Sequence, residues 1–147
     1  MATGTKRKGS RGSAFTSEER AAMRERVRET RRAKAGDADG ESMVRAKIAE
    51  MSGDDRALAE RVHALVREHA PTLEPKLWYG MPAYARAGKV VCFFQAASKF
   101  KVRYATVGFS DAAKLDDGDV WPVAFALTTL SDAARARLAD LVRRAAG

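Results

Sequence analysis

Three cationic side chains alternate with apolar residues between residues 99 and 104, where the sequence reads KFKVRY. The cations are Lys99, Lys101 and Arg103. Because alternate residues of a β-strand point to the same face, a strand here would place all three on one side of a sheet. A concave side would allow them to bind a phosphate or a carboxylate. A flat side would make them the ordinary solvated face of an antiparallel sheet.

A corner rich in aromatic and apolar residues comes before these cations, in the sequence YGMPAY at residues 79–84. The candidates for the walls of a small-molecule pocket beside the cations are Tyr79, Met81, Tyr84 and Trp121. Such pockets combine apolar and aromatic walls with a few polar groups. The same residues are equally suited to core packing, and the sequence does not separate the two interpretations.

The densest group of carboxylates is Asp116, Asp117 and Asp119, which surround Gly118. Anionic oxygens suit hard cations, so these three side chains are the candidates for a weak iron site, provided that the glycine bends the loop enough for them to converge. The spacing lacks the glutamate that completes a calcium-binding hand. A solvated loop that turns at the glycine is the preferred interpretation.

The basic character of the chain is concentrated at its N-terminal end. The net charge is +8, but residues 1–35 carry 11 Lys/Arg and 4 Asp/Glu, a net of +7, whereas residues 36–147 carry 16 and 15, a net of +1. The first cations are Lys6, Arg7, Lys8 and Arg11. A basic arm of this kind could bind nucleic acid non-specifically through phosphates, or it could act only as a solubilising tail.

The sequence contains no enzyme signature, such as a glycine-rich phosphate loop, a zinc-protease helix or a nucleophile elbow. His63 and His69 are six residues apart on a predicted helix, about 240° around its axis, so they cannot chelate one metal together and are expected to be solvated or to cap the helix. Cys92 is the single cysteine and lies in an apolar run, which favours an inert buried thiol in a reducing cytoplasm. No apolar run approaches the ~20 residues of a membrane span, and none follows the N-terminal cations as in a secretory signal.

Four helices are predicted from caps and apolar periodicity. A capping box at Thr16–Glu19 begins a helix that extends to about residue 34, with a thin apolar stripe of Met23, Val27 and Thr30. The second helix, residues 41–51, and the third, residues 55–69, have stripes formed by Val44, Ile48 and Met51 and by Leu58, Val62, Leu65 and Val66. Ser131 caps the last helix, with the stripe Ala134, Leu138, Leu141, Val142 and Ala145.

Period-two patterns predict strands at residues 77–79, 83–86, 90–94, 99–104 and 121–127. These strands follow one another without intervening helices, which predicts an α+β fold with an antiparallel sheet and helices packed on one face. The predicted organisation is a disordered basic tail at residues 1–13, a helical N-terminal extension at 14–52 and an α+β domain at 53–147.

The segment WYGMPAY at residues 78–84, followed by Gly88-Lys89 before an apolar strand, resembles the YdhG-like family, a bacterial family of domains of unknown function. The likeness extends over residues 53–147 and implies a small α+β domain. One member has been described as a frataxin-like iron chaperone, so the resemblance also implies iron handling or the binding of an unidentified small ligand, and it supplies no catalytic residues. The functional hypothesis is therefore a non-enzymatic ligand- or iron-handling protein, with a nucleic-acid-associated protein as the alternative.

Overall fold

The computed structural model describes residues 15–35 and 39–147. The basic tail and its four cations Lys6, Arg7, Lys8 and Arg11 therefore lie outside the described residues. The helices are α1 (Ser17–Ala35), α2 (Gly40–Glu50), α3 (Gly53–His69) and α4 (Asp132–Ala146). The strands are β1 (Glu74–Trp78), β2 (Met81–Arg86), β3 (Lys89–Gln95), β4 (Ala105–Phe109) and β5 (Ala124–Leu127). Within the described residues, no helix is both long enough and apolar enough to span a membrane.

The five strands form one antiparallel sheet in the order β1-β2-β3-β4-β5. This confirms the predicted α+β fold with an antiparallel sheet. The predicted strand at 90–94 is the centre of the sheet, and Val91, Cys92 and Phe94 are buried there. Side chains alternate along a strand, so Phe93 lies on the face opposite Phe94, where its ring centroid is 5.1 Å from that of Trp78.

Helices α2, α3 and α4 share one hydrophobic core with the sheet. The predicted stripe of α3 is buried in full. The predicted stripe of α4 is buried at three of its five residues, Leu138, Val142 and Ala145. Val44 and Ile48 of α2 are buried in the same core, beside Leu77 of β1. The predicted boundary at residue 52 therefore does not coincide with a gap in the core, and whether residues 53–147 fold alone stays a prediction.

The strand predicted at residues 99–104 is wrong. A short 3₁₀ helix, Ala97–Lys99, occupies its beginning, Lys101 has a positive φ of 54°, and the strand of this region is β4, further along the chain. The apparent alternation belongs to a turn, in which Val102 and Tyr104 are 45% and 37% exposed. Lys99, Lys101 and Arg103 consequently do not share a strand face.

The packing face of α1 also differs from the prediction. Met23 and Val27 are exposed, whereas Ala22 and Glu29 are the buried members among the α1 side chains that the structure describes. The helix begins as expected, because the Glu19 amide donates to the Thr16 hydroxyl at 3.1 Å. The face of α1 toward the domain is acidic, and its glutamates contact lysines and backbone amides there.

Candidate functional site

The turn between β1 and β2 presents two backbone amides outward from the sheet. Trp78 pairs with Met81, and the two residues between them have positive φ, 51° for Tyr79 and 75° for Gly80. A two-residue hairpin turn with both φ values positive matches the twist of its strands, although tyrosine is unusual in that conformation. The turn residues lie beyond the β1–β2 ladder, so their N–H groups are available to another partner.

The partner of both amides is the carboxylate of Glu29 on α1. The Gly80 amide donates to Oε1 at 2.6 Å, and the Tyr79 amide donates to Oε2 at 3.1 Å. The Glu29 residue is only 6% exposed, and burial raises its pKa even though the two amides and Arg26 act in the opposite direction. The turn therefore holds a buried carboxylate by both of its oxygens.

A second carboxylate, Glu25, lies beside the first. Its Oε2 is 3.5 Å from Nζ of Lys47 and 3.6 Å from Nζ of Lys99. That oxygen is buried and accepts no hydrogen bond from the described residues. It packs directly on the turn, since a Cβ at residue 80 would lie 1.5 Å from it, so the close approach of Glu25 requires glycine there.

Two cavities adjoin this carboxylate. One, of about 570 Å³, lies between α1, α2 and β1. The other, of about 230 Å³, lies between α2, the turn and the segment before β4. Both are lined by Glu25, Lys47 and Glu50. The larger cavity has apolar walls at Met43 and Leu77, so charged and apolar groups converge on one space.

Three of the residues predicted to line a pocket come together at this site. Met81 and Lys99 line the smaller cavity, and Tyr79 supplies one of the two amides of the turn. Lys101 lies further out, where its Nζ is 2.9 Å from Oε1 of Glu18 on α1. Hydrogen bonds from that lysine and from the helix N-terminus lower the pKa of Glu18 to about 2.

Tyr84, Arg103 and Trp121 lie elsewhere. Arg103 is exposed, with its guanidinium 5.3 Å from the ring centroid of Tyr104. Trp121 lies beside α4, in a separate cavity of about 220 Å³ that includes Asp117 and Arg137. Tyr84 is buried in the core under α3. The predicted pocket is therefore divided among separate places in the fold, and the roles assigned to these three residues stay predictions.

The expectation that His63 is solvated or caps α3 is wrong. It is 7% exposed, and its ring joins two side chains, with Nδ1 2.8 Å from the Tyr84 hydroxyl and Nε2 2.8 Å from Oε1 of Glu41. The carboxylate only accepts, so Nε2 donates to it. Burial would raise the pKa of Glu41, but His63, Arg45 and Arg67 outweigh that effect and lower it.

The carboxylates predicted to bind iron are exposed. Gly118 has a φ of 67°, so the loop turns there as expected. Within residues 15–35 and 39–147, no group of three His, Cys, Asp or Glu side chains is arranged to hold a metal ion. Asp116, Asp117 and Asp119 thus do not converge, although metal binding by the protein itself stays a prediction.

Sequence reasoning missed the contribution of α1 to the site. Glu18, Glu25 and Glu29 are spaced seven and four residues apart, which places them on one face of a helix. That acidic stripe is the signal in the sequence for this face of α1, whereas the apolar stripe of Met23 and Val27 faces solvent. Lys47 was also missed, because a lone lysine on a helix gives no indication of its partners.

Cys92 agrees with its prediction. It is 1% exposed, and burial raises the pKa of its thiol to about 12.

Comparisons with known protein families, with curated proteins and with solved structures found no match. The resemblance to the YdhG-like family therefore stays a prediction that rests on the YGMPAY segment.

Proposed function

We propose that this protein is a non-enzymatic, cytoplasmic small-ligand-binding protein whose site is the pair of cavities beside Glu25 and Lys47. The observation that carries the proposal is the cavity of about 570 Å³, where charged side chains of two helices and apolar side chains meet beside the hairpin turn. Ligand pockets typically have volumes of about 300–1,000 Å³ and combine apolar walls with a few polar groups. The cytoplasmic part of the proposal rests on the single cysteine, a buried thiol.

A pair of substitutions on α2 tests the location of the site. Ala46 lines the larger cavity, whereas Ala49 lines a different one, of about 470 Å³, between α2 and α3. A metabolite panel screened by thermal shift supplies the ligand, and its affinity is then measured by calorimetry. We expect Ala46→Trp to fill the site and abolish binding, while Ala49→Trp leaves it unchanged. The proposal is rejected if no compound binds, or if only Ala49→Trp affects binding.

Iron handling remains the alternative identity of the ligand that the family resemblance implies. Anaerobic titration of iron into the wild type and into the triple Asp→Asn variant at residues 116, 117 and 119 tests it. Binding by the wild type alone would support the loop as the site. Absence of binding by both would exclude an iron role.

The second candidate function is non-specific nucleic-acid binding through the basic N-terminal arm, residues 1–35, which begins with the cations Lys6, Arg7, Lys8 and Arg11 and continues into α1. The observation in its favour is the sorting of charge on α1, because its glutamates face the domain whereas Arg20, Arg24 and Arg28, spaced four residues apart, are exposed. Electrostatic affinity falls with salt at a logarithmic slope of about −0.9 per duplex phosphate contacted. Replacing the three arginines with glutamine should therefore flatten the slope by up to about 3.

The matched control replaces Arg135, Arg143 and Arg144 of α4, which removes the same charge from another exposed helix. Binding is measured by fluorescence anisotropy with a labelled duplex at 50–200 mM salt. Equal slopes for the two triple variants would exclude α1 as the interface.

A further inference from the structure

We propose that the β1–β2 turn, together with Lys47 and Lys99, is a binding site for a small acid with two anionic groups, and that α1 occupies it as an internal competitor. The inference rests on the proposed ligand-binding function and adds to it the chemical class of the ligand and the means by which access is controlled. The side chains of Glu25 and Glu29 stand where the two anionic groups of the ligand would lie.

The turn provides the first half of the site. Successive backbone amides that point to one place form an anion-binding concavity. Here the amides of Tyr79 and Gly80 both donate to one carboxylate, at 3.1 and 2.6 Å. A ligand carboxylate or phosphate would accept the same two hydrogen bonds, and the backbone offers them whatever the side chain at residue 79.

Two lysines provide the second half. Nζ of Lys47 comes from α2 and Nζ of Lys99 from the segment before β4, and both lie within 3.6 Å of the same carboxylate oxygen. Lys99 is also well enclosed, with 15% of its side chain exposed. All four anion-binding groups belong to residues 47–99, so the site would persist when α1 moves away.

The contact that α1 makes is polar and incompletely satisfied. Ala22 is the single buried apolar side chain among those described on the helix, and Met23 and Val27 face solvent. The buried Oε2 of Glu25 accepts no hydrogen bond from the described residues. Burial raises the pKa of Glu29, so its charged form is less favourable in the docked helix than in water. An occupant held in this way can be exchanged for a free anion of better fit.

Competition by α1 would lower the apparent affinity for the ligand. When the open state is a fraction f of the population, the apparent dissociation constant is the intrinsic value divided by f. If α1 is docked in about 99% of molecules, the ligand therefore binds about 100-fold more weakly than to the open site. Removing the competing carboxylates should recover most of that factor.

The test uses the full chain and two probes, succinate and inorganic phosphate. The variant Glu25→Ala/Glu29→Ala removes the competing carboxylates. The control Glu60→Ala/Glu68→Ala removes the same charge from exposed positions on α3. We expect at least tenfold tighter binding of succinate to the first variant than to the wild type and the control. Inorganic phosphate has a single anionic group, so stronger binding of phosphate than of succinate would overturn the assignment of a ligand with two anionic groups.

Amide chemical shifts distinguish the possible failures. Succinate should shift the Tyr79 and Gly80 amides, and Lys99→Ala in the double variant should remove that shift while circular dichroism shows that the fold is kept. Equal affinity of wild type and double variant, or shifts that survive Lys99→Ala, would overturn the inference. If a metabolite from the panel still shifts Ser42 and Met43 of the larger cavity, the proposed function stands and only the inference fails. If no compound shifts either pair of amides, the proposed function and the inference both fail.

Discussion

The hydrogen bond between the Tyr84 hydroxyl and Nδ1 of His63 should make a measurable contribution to stability. The two atoms are 2.8 Å apart, Tyr84 is 1% exposed and His63 is 7% exposed, so water cannot readily replace the lost partner. Burial also raises the pKa of the Tyr84 hydroxyl, which keeps it protonated and able to donate. In Tyr84→Phe the ring still fills the core, and the loss is limited to the hydroxyl and its bond.

The expected cost follows from two contributions. A net intramolecular hydrogen bond contributes about 1 kcal/mol, and a buried acceptor left without a partner costs about 1–3 kcal/mol. We therefore expect Tyr84→Phe to lower the free energy of unfolding by about 2 kcal/mol, which for a chain of this length lowers Tm by about 4–8 °C. Urea denaturation gives the free energy, and differential scanning calorimetry gives Tm.

Tyr104→Phe is the matched control. Tyr104 is 37% exposed and lies before β4, where its hydroxyl makes no hydrogen bond with the described residues, so its loss should change stability by less than about 0.5 kcal/mol. Equal stabilities of the two variants would refute the reasoning, because they would mean that the buried hydroxyl contributes no more than an exposed one.

Three further predictions concern residues of α2 and β3. The pKa of Glu41 is lower in the folded protein than its ordinary value of 4.5, so the ionised side chain stabilises the fold fully above about pH 4.5 and this stabilisation is lost as pH falls through the folded-state pKa. Glu41→Gln should therefore make the free energy of unfolding less dependent on pH in the acid range, as followed by circular dichroism. Gly40→Ala should lower the free energy of unfolding by about 1–3 kcal/mol, since its Cβ would lie 1.7 Å from the Pro75 carbonyl oxygen; urea denaturation that matches the wild type would contradict this contact. Cys92 should react with a thiol reagent only on unfolding, because its pKa is about 12 and it is buried; rapid labelling of the native protein at pH 8 would show otherwise.

The helices were predictable because their signals are local. Ser131 caps α4 through a hydrogen bond from the Ala134 amide, and the stripes of α2, α3 and α4 repeat at helical spacing. The centre of the sheet was equally clear, since a continuous apolar run such as residues 90–94 needs cover on both faces. In each case the residues that decide the structure are neighbours in the chain.

The errors occurred where distant partners decide the structure. The KFKVRY segment alternates as a strand would. In the structure, however, Lys99 and Lys101 form ion pairs with glutamates of α1, and the strand begins only after this segment. His63 looked like a surface residue because its partners, Tyr84 and Glu41, are more than 20 positions away. Half of the candidate site consists of backbone amides, which no pattern of side chains reveals.

The order of the strands has a consequence for how the chain folds. Every pairing in the sheet joins strands that are consecutive in the sequence, and the β1–β2 and β2–β3 hairpins each close a loop of two residues, so they need no distant contact to form. Topologies with local contacts fold faster than those with distant pairings. We therefore expect the folding transition state to contain the β1–β2–β3 meander, to which α1 attaches later. Kinetic φ-values, the ratio of a mutation's effect on the activation free energy of folding to its effect on stability, should then be well above those of α1 in the meander. High φ-values in α1 and low ones in β2 would show that the helix nucleates the sheet instead.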